Sequence, residues 1–206
     1  MSFPALSAFE TKTLSDELPH TEKKQQIINF PPFFTRQLNP STWEAQVKFW
    51  QEIILADFQR RNDFILKPEL LDLNPTHSSL AIFTNDRINR KVSKELLQEI
   101  LDNLEKSGVV SKTASSKLGA LEYLVWWRSR EEWASEIFNW VQQAGAHNKV
   151  YLVADLLDDE EYSETPFYGL PHEVMLESLK VLEIQGRAKL VSGSGSANLD
   201  AVKFGL

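Results

Sequence analysis

The sequence predicts an α+β, mainly helical chain made of two tandem winged-helix domains, and three observations predict it. The first is a tryptophan pattern that occurs twice. Trp43, Val47 and Trp50 spell W-x3-V-x2-W, and Trp133, Ile137 and Trp140 spell W-x3-I-x2-W, displaced by 90 positions. The second is a longer match: "ELLQEILDNLEKSGVVSK" from Glu95 aligns with "EVMLESLKVLEIQGRAKL" from Glu173, displaced by 78 positions. Within it Leu97 matches Met175, Leu101 matches Leu179, Leu104 matches Leu182, Glu105 matches Glu183 and Gly108 matches Gly186. The third is what surrounds those glycines. Each stands just past a helical pattern, where a left-handed cap is wanted, and each precedes two short strand-like segments joined by a loop. Helix, short strand, helical segment, helix and hairpin is the winged-helix variant of the helix-turn-helix.

Each part of the chain has its own signals. Residues 1–28 are polar and aperiodic, which reads as a disordered tail. Residues 29–38 hold two prolines and three phenylalanines ahead of the first helix, and stand apart as a Pro/Phe segment. The first domain, 39–129, opens on the N-cap candidate Asn39-Pro40-Ser41-Thr42. Trp43, Val47, Trp50, Ile54 and Phe58 then recur as one apolar helix face. The two displacements differ by a dozen residues, so the first domain carries an insertion of that size between its helices. Pro68, Asn74-Pro75 and Ser78-Ser79 mark it as loop. After Gly108, strands are expected at Val109–Lys112 and Leu121–Trp127. The second domain, 130–206, repeats the order from Arg130. Its strands are expected at Arg187–Val191 and Ala201–Phe204, flanking a flexible wing at Ser192–Ser196.

Composition limits the function. Of the 206 residues 42% are hydrophobic and 25% charged, enough to build a core. With no cysteine, disulfides, thiolate metal sites and Cys nucleophiles are excluded, and the absence suits a reducing cytoplasmic compartment. No apolar run approaches the roughly 20 residues of a membrane span, so no direct membrane insertion is expected. The first thirty residues lack the pattern of a secretory signal. The formal charge is −7. It is uneven: between Lys149 and Lys180 there is no Lys or Arg, but Asp155, Asp158, Asp159, Glu160, Glu161, Glu164, Glu173 and Glu177 are acidic. That stretch reads as a solvated loop, with a surface for a basic partner helix as the second option.

A winged-helix transcription regulator that binds nucleic acid is the first alternative, because such domains commonly lay their last helix in the major groove. The charge opposes it. From Val92 to Ser107, Glu95, Glu99, Asp102 and Glu105 face Lys94 and Lys106, a balance of −2. From Pro171 to Gln185 the balance is again −2. A duplex repels such faces, so no nucleic-acid partner is expected. Catalysis has no motif either. His20, His77, His147 and His172 are scattered, and Ser192–Ser196 lacks the Lys-Ser/Thr ending of a phosphate loop. The chain reads as a non-enzyme without cofactor or metal.

Four stretches carry a resemblance: "FPPFFTRQ" (Phe30–Gln37), "WWRSREEWASEIFNWVQQAG" (Trp126–Gly145), "FYGLPHEVMLESLKVLEIQG" (Phe167–Gly186) and "VKF" (Val202–Phe204). In this order they resemble the small-subunit family of the endosomal sorting complex ESCRT-II, the vacuolar protein sorting-associated protein 25 family, over roughly residues 29 to 206. The resemblance implies a non-catalytic adaptor with two winged-helix domains. Two copies attach to a core of the two larger ESCRT-II subunits, each through a Pro-Pro-x-Phe/Tyr motif that docks in apolar pockets. Pro31, Pro32 and Phe34 hold those positions, with Phe33 as the variable one. The second domain, about Arg130–Leu206, is implied to recruit the ESCRT-III subunit that starts filament assembly, in multivesicular-body cargo sorting. The protein is then cytoplasmic and peripheral on the endosomal membrane through its complex. The tail before Asn29 is longer than the family's usual start.

On this reading Phe30, Pro31, Pro32, Phe33 and Phe34 are the candidate partner-binding residues. Pro31-Pro32 biases the segment toward an extended polyproline II shape, which limits the entropy lost on binding. Each phenyl ring of Phe33 and Phe34 would contribute about 1.5–3 kcal/mol if fully buried in a partner. The alternative is that the rings pack on the chain's own first helix, against Trp43 or Val47.

Overall fold

The computed structural model describes residues 26–73, 80–113, 121–191 and 200–205. The chain divides into two compact units between Trp127 and Arg128, two residues before the sequence boundary. The two wing loops and the Asn74–Ser79 part of the insertion lie outside the described residues, as do His20 and His77.

In the first unit, helix α1 (Pro40–Arg61) starts where Asn39 accepts from the backbone N–H groups of Ser41 and Thr42, and ends on Asn62 in the left-handed region. Strand β1 (Ile65–Leu66), helix α2 (Leu70–Leu73), a small hairpin of β2 (Thr84–Asn85) and β3 (Arg90–Lys91), and helix α3 (Lys94–Lys106) follow. The unit closes with β4 (Val110–Lys112) and β5 (Tyr123–Val125), both shorter than the sequence predicts. The sheet order is β1-β5-β4, all antiparallel. Ser93 caps α3 by accepting from Leu96 N–H, and Gly108, at φ +74°, turns the chain into β4.

The second unit repeats this plan. Helix α4 (Arg130–Gln143) begins on a capping box between Ser129 and Glu132. Strand β6 (Val150–Leu152), helix α5 (Val153–Asp158), helix α6 (His172–Ile184), β7 (Ala188–Val191) and β8 (Ala201–Phe204) follow, with sheet order β6-β8-β7. Gly186, at φ +71°, stands where Gly108 stands in the first unit. In both sheets the strand before the helical pair lies beside the last strand, the arrangement expected of a winged helix.

Three expectations need correcting. The expected insertion is not all loop: α1 has 22 residues against 14 in α4, α2 lies within the stretch marked as loop, and after it Asn89 in the left-handed region and Asn85 accepting from Arg87 N–H build the β2–β3 hairpin. The acidic stretch is not a plain loop: Asp155 and Asp158 lie on α5, and Asp159 accepts from Glu161 N–H to start a short 3-10 turn, Glu160–Tyr162. The expected tail of 1–28 is too long, since residues 26–28 form a helical turn and Ile27 and Ile28 pack against the first core. Trp126 is buried and donates to Ser111 Oγ, and half-buried Trp127 packs on Phe64 and donates to Asp63 O.

Candidate partner-docking site

The Pro/Phe segment is built into the first unit. Pro31–Phe34 is a 3-10 turn with Pro31 at its start, Phe33 N–H donating to Phe30 O at 2.9 Å and Thr35 N–H to Pro32 O at 3.1 Å. This corrects the expected polyproline II shape. Proline fixes φ near −65°, which suits the first positions of a helical turn as well as an extended chain, so the dipeptide alone does not choose.

Burial makes the choice. Phe33 is 1% exposed and Phe34 5%. Phe33 stacks on the Trp50 indole at 4.5 Å between centroids, and Phe34 meets the same ring edge-on at 5.8 Å. Phe83, next to the β2–β3 hairpin, covers Trp50 from another side at 5.4 Å. The two phenyls therefore fill their own core, as in the self-packing alternative, but against Trp50 rather than Trp43 or Val47. As free anchors for a partner pocket they are unavailable while the unit is folded.

A buried polar residue holds the segment. Gln46, fully buried on α1, donates to Phe33 O at 2.7 Å and Thr35 O at 3.0 Å, and its Oε1 accepts from Gln37 N–H. Gln37 in turn donates to Pro32 O and Thr35 O, both at 2.8 Å. Of these carbonyls Phe33 O is the buried one, and Gln46 supplies its donor. Arg36 stands over the Trp43 ring at 5.0 Å and pairs with Glu99 of α3. From the other flank, Asn85 of β2 donates to Ile28 O at 2.9 Å and to Asn29 Oδ1.

What faces outward is different. Pro31 is exposed, Phe30 and Pro32 are half-buried, and Leu38 is 90% exposed. Beside them the hairpin presents Arg87 and Arg90, both exposed and with no ion pair among the described residues. Sequence reasoning missed Leu38, Gln46, Trp50 as the receiving ring, and the hairpin. Nothing in the spacing marked Gln46, which sits one turn from Trp43 on an otherwise apolar flank.

With the geometry in place, comparison with known proteins decides the family. A family model described as "ESCRT-II complex subunit" matches residues 27–171. The chain belongs to the ESCRT-II complex subunit family. It is 33% identical over 175 residues to the Drosophila melanogaster vacuolar protein-sorting-associated protein 25, covering 85% of this chain and 93% of that protein. To the Homo sapiens protein of the same name it is 30% identical over 165 residues, covering 80% and 89%. The crystal structure of subunit VPS25 of the endosomal trafficking complex ESCRT-II superposes with a TM-score of 0.70 at 25% identity, covering 86% of this chain and 96% of that one. A chain of the crystal structure of ESCRT-II (VPS22/VPS25/VPS36) matches equally well, with a TM-score of 0.70 and 86% and 97% coverage. The match between this ESCRT-II subunit and those structures extends through both units. Among the described residues no helix is long and apolar enough to cross a membrane.

Proposed function

We propose that this chain is a non-catalytic adaptor of ESCRT-II that docks on the two larger subunits of its complex, the counterparts of VPS22 and VPS36. Its second unit recruits an ESCRT-III subunit during endosomal cargo sorting. The protein works in the cytoplasm, held at the endosomal membrane by its complex.

One observation carries the docking site: a hydrogen-bonded turn whose apolar rim, exposed Pro31 and Leu38 with half-buried Phe30 and Pro32, stands on phenylalanines spent in the chain's own core. An exposed leucine beside two prolines on a fixed frame loses little entropy on binding. Phe33 and Phe34 act from behind, by holding Pro31 and Pro32 in place. Arg87 and Arg90 add a positive flank, which suits an acidic border on the receiving subunits.

The test is co-purification with the two larger subunits. The double variant Pro31→Glu, Leu38→Glu is expected to lose the complex and keep the wild-type melt, because both side chains point to solvent. A variant that stays bound removes these residues from the interface. A wild type that elutes alone removes the adaptor reading itself. The transcription-regulator alternative asks for duplex binding that weakens with salt; gel shifts at low salt check it, and none is expected.

A further inference from the structure

We infer that the acidic N-terminal stretch, residues 13–22, folds back over the exposed rim of the first unit, with its carboxylates on Arg87 and Arg90 and its leucines against Leu38 and Pro31. The chain thereby covers its own docking face until the larger subunits displace the cover. That competition rests on the docking reading proposed above; the contact itself does not.

The rim offers two features that the first unit leaves unused. Leu38 is 90% exposed, more than any other large hydrophobic side chain among the described residues. It is also held in place, because the Gln37 side chain donates to Pro32 O and Thr35 O and so ties the preceding residue to the turn. Strand β3 lies against the same turn, which sets the β2–β3 hairpin at the border of the rim. Residues 84–91 carry Arg87, Arg90 and Lys91 against Asp86, a balance of +2 in a chain of −7. Arg87 and Arg90 are exposed and have no ion pair among the described residues. An apolar spot edged by unpaired guanidinium groups is a seat for leucines edged by carboxylates.

The chain supplies such a segment and delivers it to the right edge. Asn85 of β2 donates to Ile28 O at 2.9 Å and to Asn29 Oδ1, so the backbone leading back to the N-terminus departs beside the hairpin. Residues 1–25 lie outside the described residues, but their sequence is uneven in charge. Between Lys12 and Lys23 there is no Lys or Arg, while Asp16, Glu17 and Glu22 are acidic. Leu14 and Leu18 stand four apart, the spacing that puts two side chains on one face of a helical turn. Thr13-x-x-Asp16 is a capping pattern for such a turn, and Pro19 ends it. The eight residues between Glu17 and Gln26 reach about 30 Å when extended, ample for a rim next to the point of departure. A tether of that length gives an effective concentration on the order of millimolar, so a contact with a dissociation constant of about 0.3 mM keeps the rim covered most of the time.

The experiment uses the absence of cysteine: Ser15→Cys carries a nitroxide at a single site, and amide NMR of the isotope-labelled full chain reads where it lies. Expected is broadening centred on Leu38, Arg87 and Arg90 that fades at high salt and is lost in Arg87→Glu, Arg90→Glu. Both side chains are exposed, so that variant is expected to keep the wild-type melt. Adding Asp16→Lys, Glu17→Lys to it swaps the charges and is expected to restore the broadening. Broadening spread evenly over the first unit, or centred elsewhere, overturns the proposal and leaves the docking reading standing. Equal broadening when spin-labelled chain without isotope is mixed with isotope-labelled chain without the nitroxide also overturns it, since the segment would then sit on a second copy. A second arm titrates the two larger subunits. Cover weakens the apparent affinity by the uncovered fraction, so Asp16→Lys, Glu17→Lys in the otherwise wild-type chain is expected to bind about threefold tighter or more. Equal affinity overturns the competition. No binding by either chain removes the docking reading, while the broadening still decides the self-contact.

Discussion

The same tryptophan pair leads opposite lives in the two units. In the first, Trp50 is 1% exposed beneath Phe33, Phe34 and Phe83, while Trp43 is half-buried under Arg36. In the second, Trp133 is 3% exposed with Arg128 over it at 4.6 Å, while Trp140 is half-buried among Tyr151, Tyr162, Phe167 and Phe204. The repeat thus sets a helix with two indole positions, and what is added to each unit decides which of them is sealed. The first unit seals Trp50 with an N-terminal segment and a hairpin. The second leaves Trp140 at the rim of an aromatic cluster, where burial, helped by the Glu161 carboxylate, raises the Tyr151 and Tyr162 phenols above the ordinary range. A Pro/Phe segment ahead of the first helix can therefore be part of a core.

That contrast can be broken most severely at the segment itself. Phe33→Ala is expected to cost about 3–5 kcal/mol, because it removes the ring stacked on Trp50 and leaves a cavity in a sealed core. Chemical denaturation checks it. A melt equal to wild type would mean that the segment is not packed as described. Gln46→Ala comes next, at about 1–3 kcal/mol, since Phe33 O and Thr35 O lose a buried donor. Among the described residues the second unit shows no counterpart of this tether.

The third test sharpens what the units share. Gly108→Ala and Gly186→Ala place a side chain at φ +74° and +71°, and open space surrounds both positions, so each variant registers backbone strain alone. The expected costs are equal, about 1 kcal/mol each. Unequal costs in the two melts would mean the two caps are not equivalent.

The smallest effect concerns the start of the second unit. Hydrogen bonds from the Ser129 backbone N–H and hydroxyl hold the Glu132 carboxyl below its ordinary value. A depressed folded-state value stabilises the fold above the unfolded carboxylate range and loses that contribution as pH falls through the folded value. Glu132→Ala should therefore melt slightly below wild type at neutral pH, and the difference should close below the ordinary carboxylate range of about 4. Thermal melts across pH check it.

Much of the fold was legible because it rests on local rules. Asn39, the N-cap candidate, caps the first helix by side-chain chemistry that a sequence displays directly. Gly108 and Gly186 were legible because only glycine takes that backbone shape cheaply, and the repeat places them in register. The first-unit hairpin was not legible, since Asn85 and Asn89 build it from turn geometry that the loop signals just before it obscured.

The candidate site divides in the same way. Residue order alone sets residues 29–38 apart, shows the two-fold repeat, and gives the last helix of each unit a net negative charge. Those are properties of composition and spacing. It took the folded chain to turn Phe33 and Phe34 inward and leave Pro31 and Leu38 outside. The reason is that Trp50 and Phe83 stand far from the segment in sequence, and their rings offer it an apolar seat that no local pattern announces. Two prolines permit either an extended strand or a helical turn, and the buried area gained against Trp50, together with the Gln46 hydrogen bonds, selects the turn.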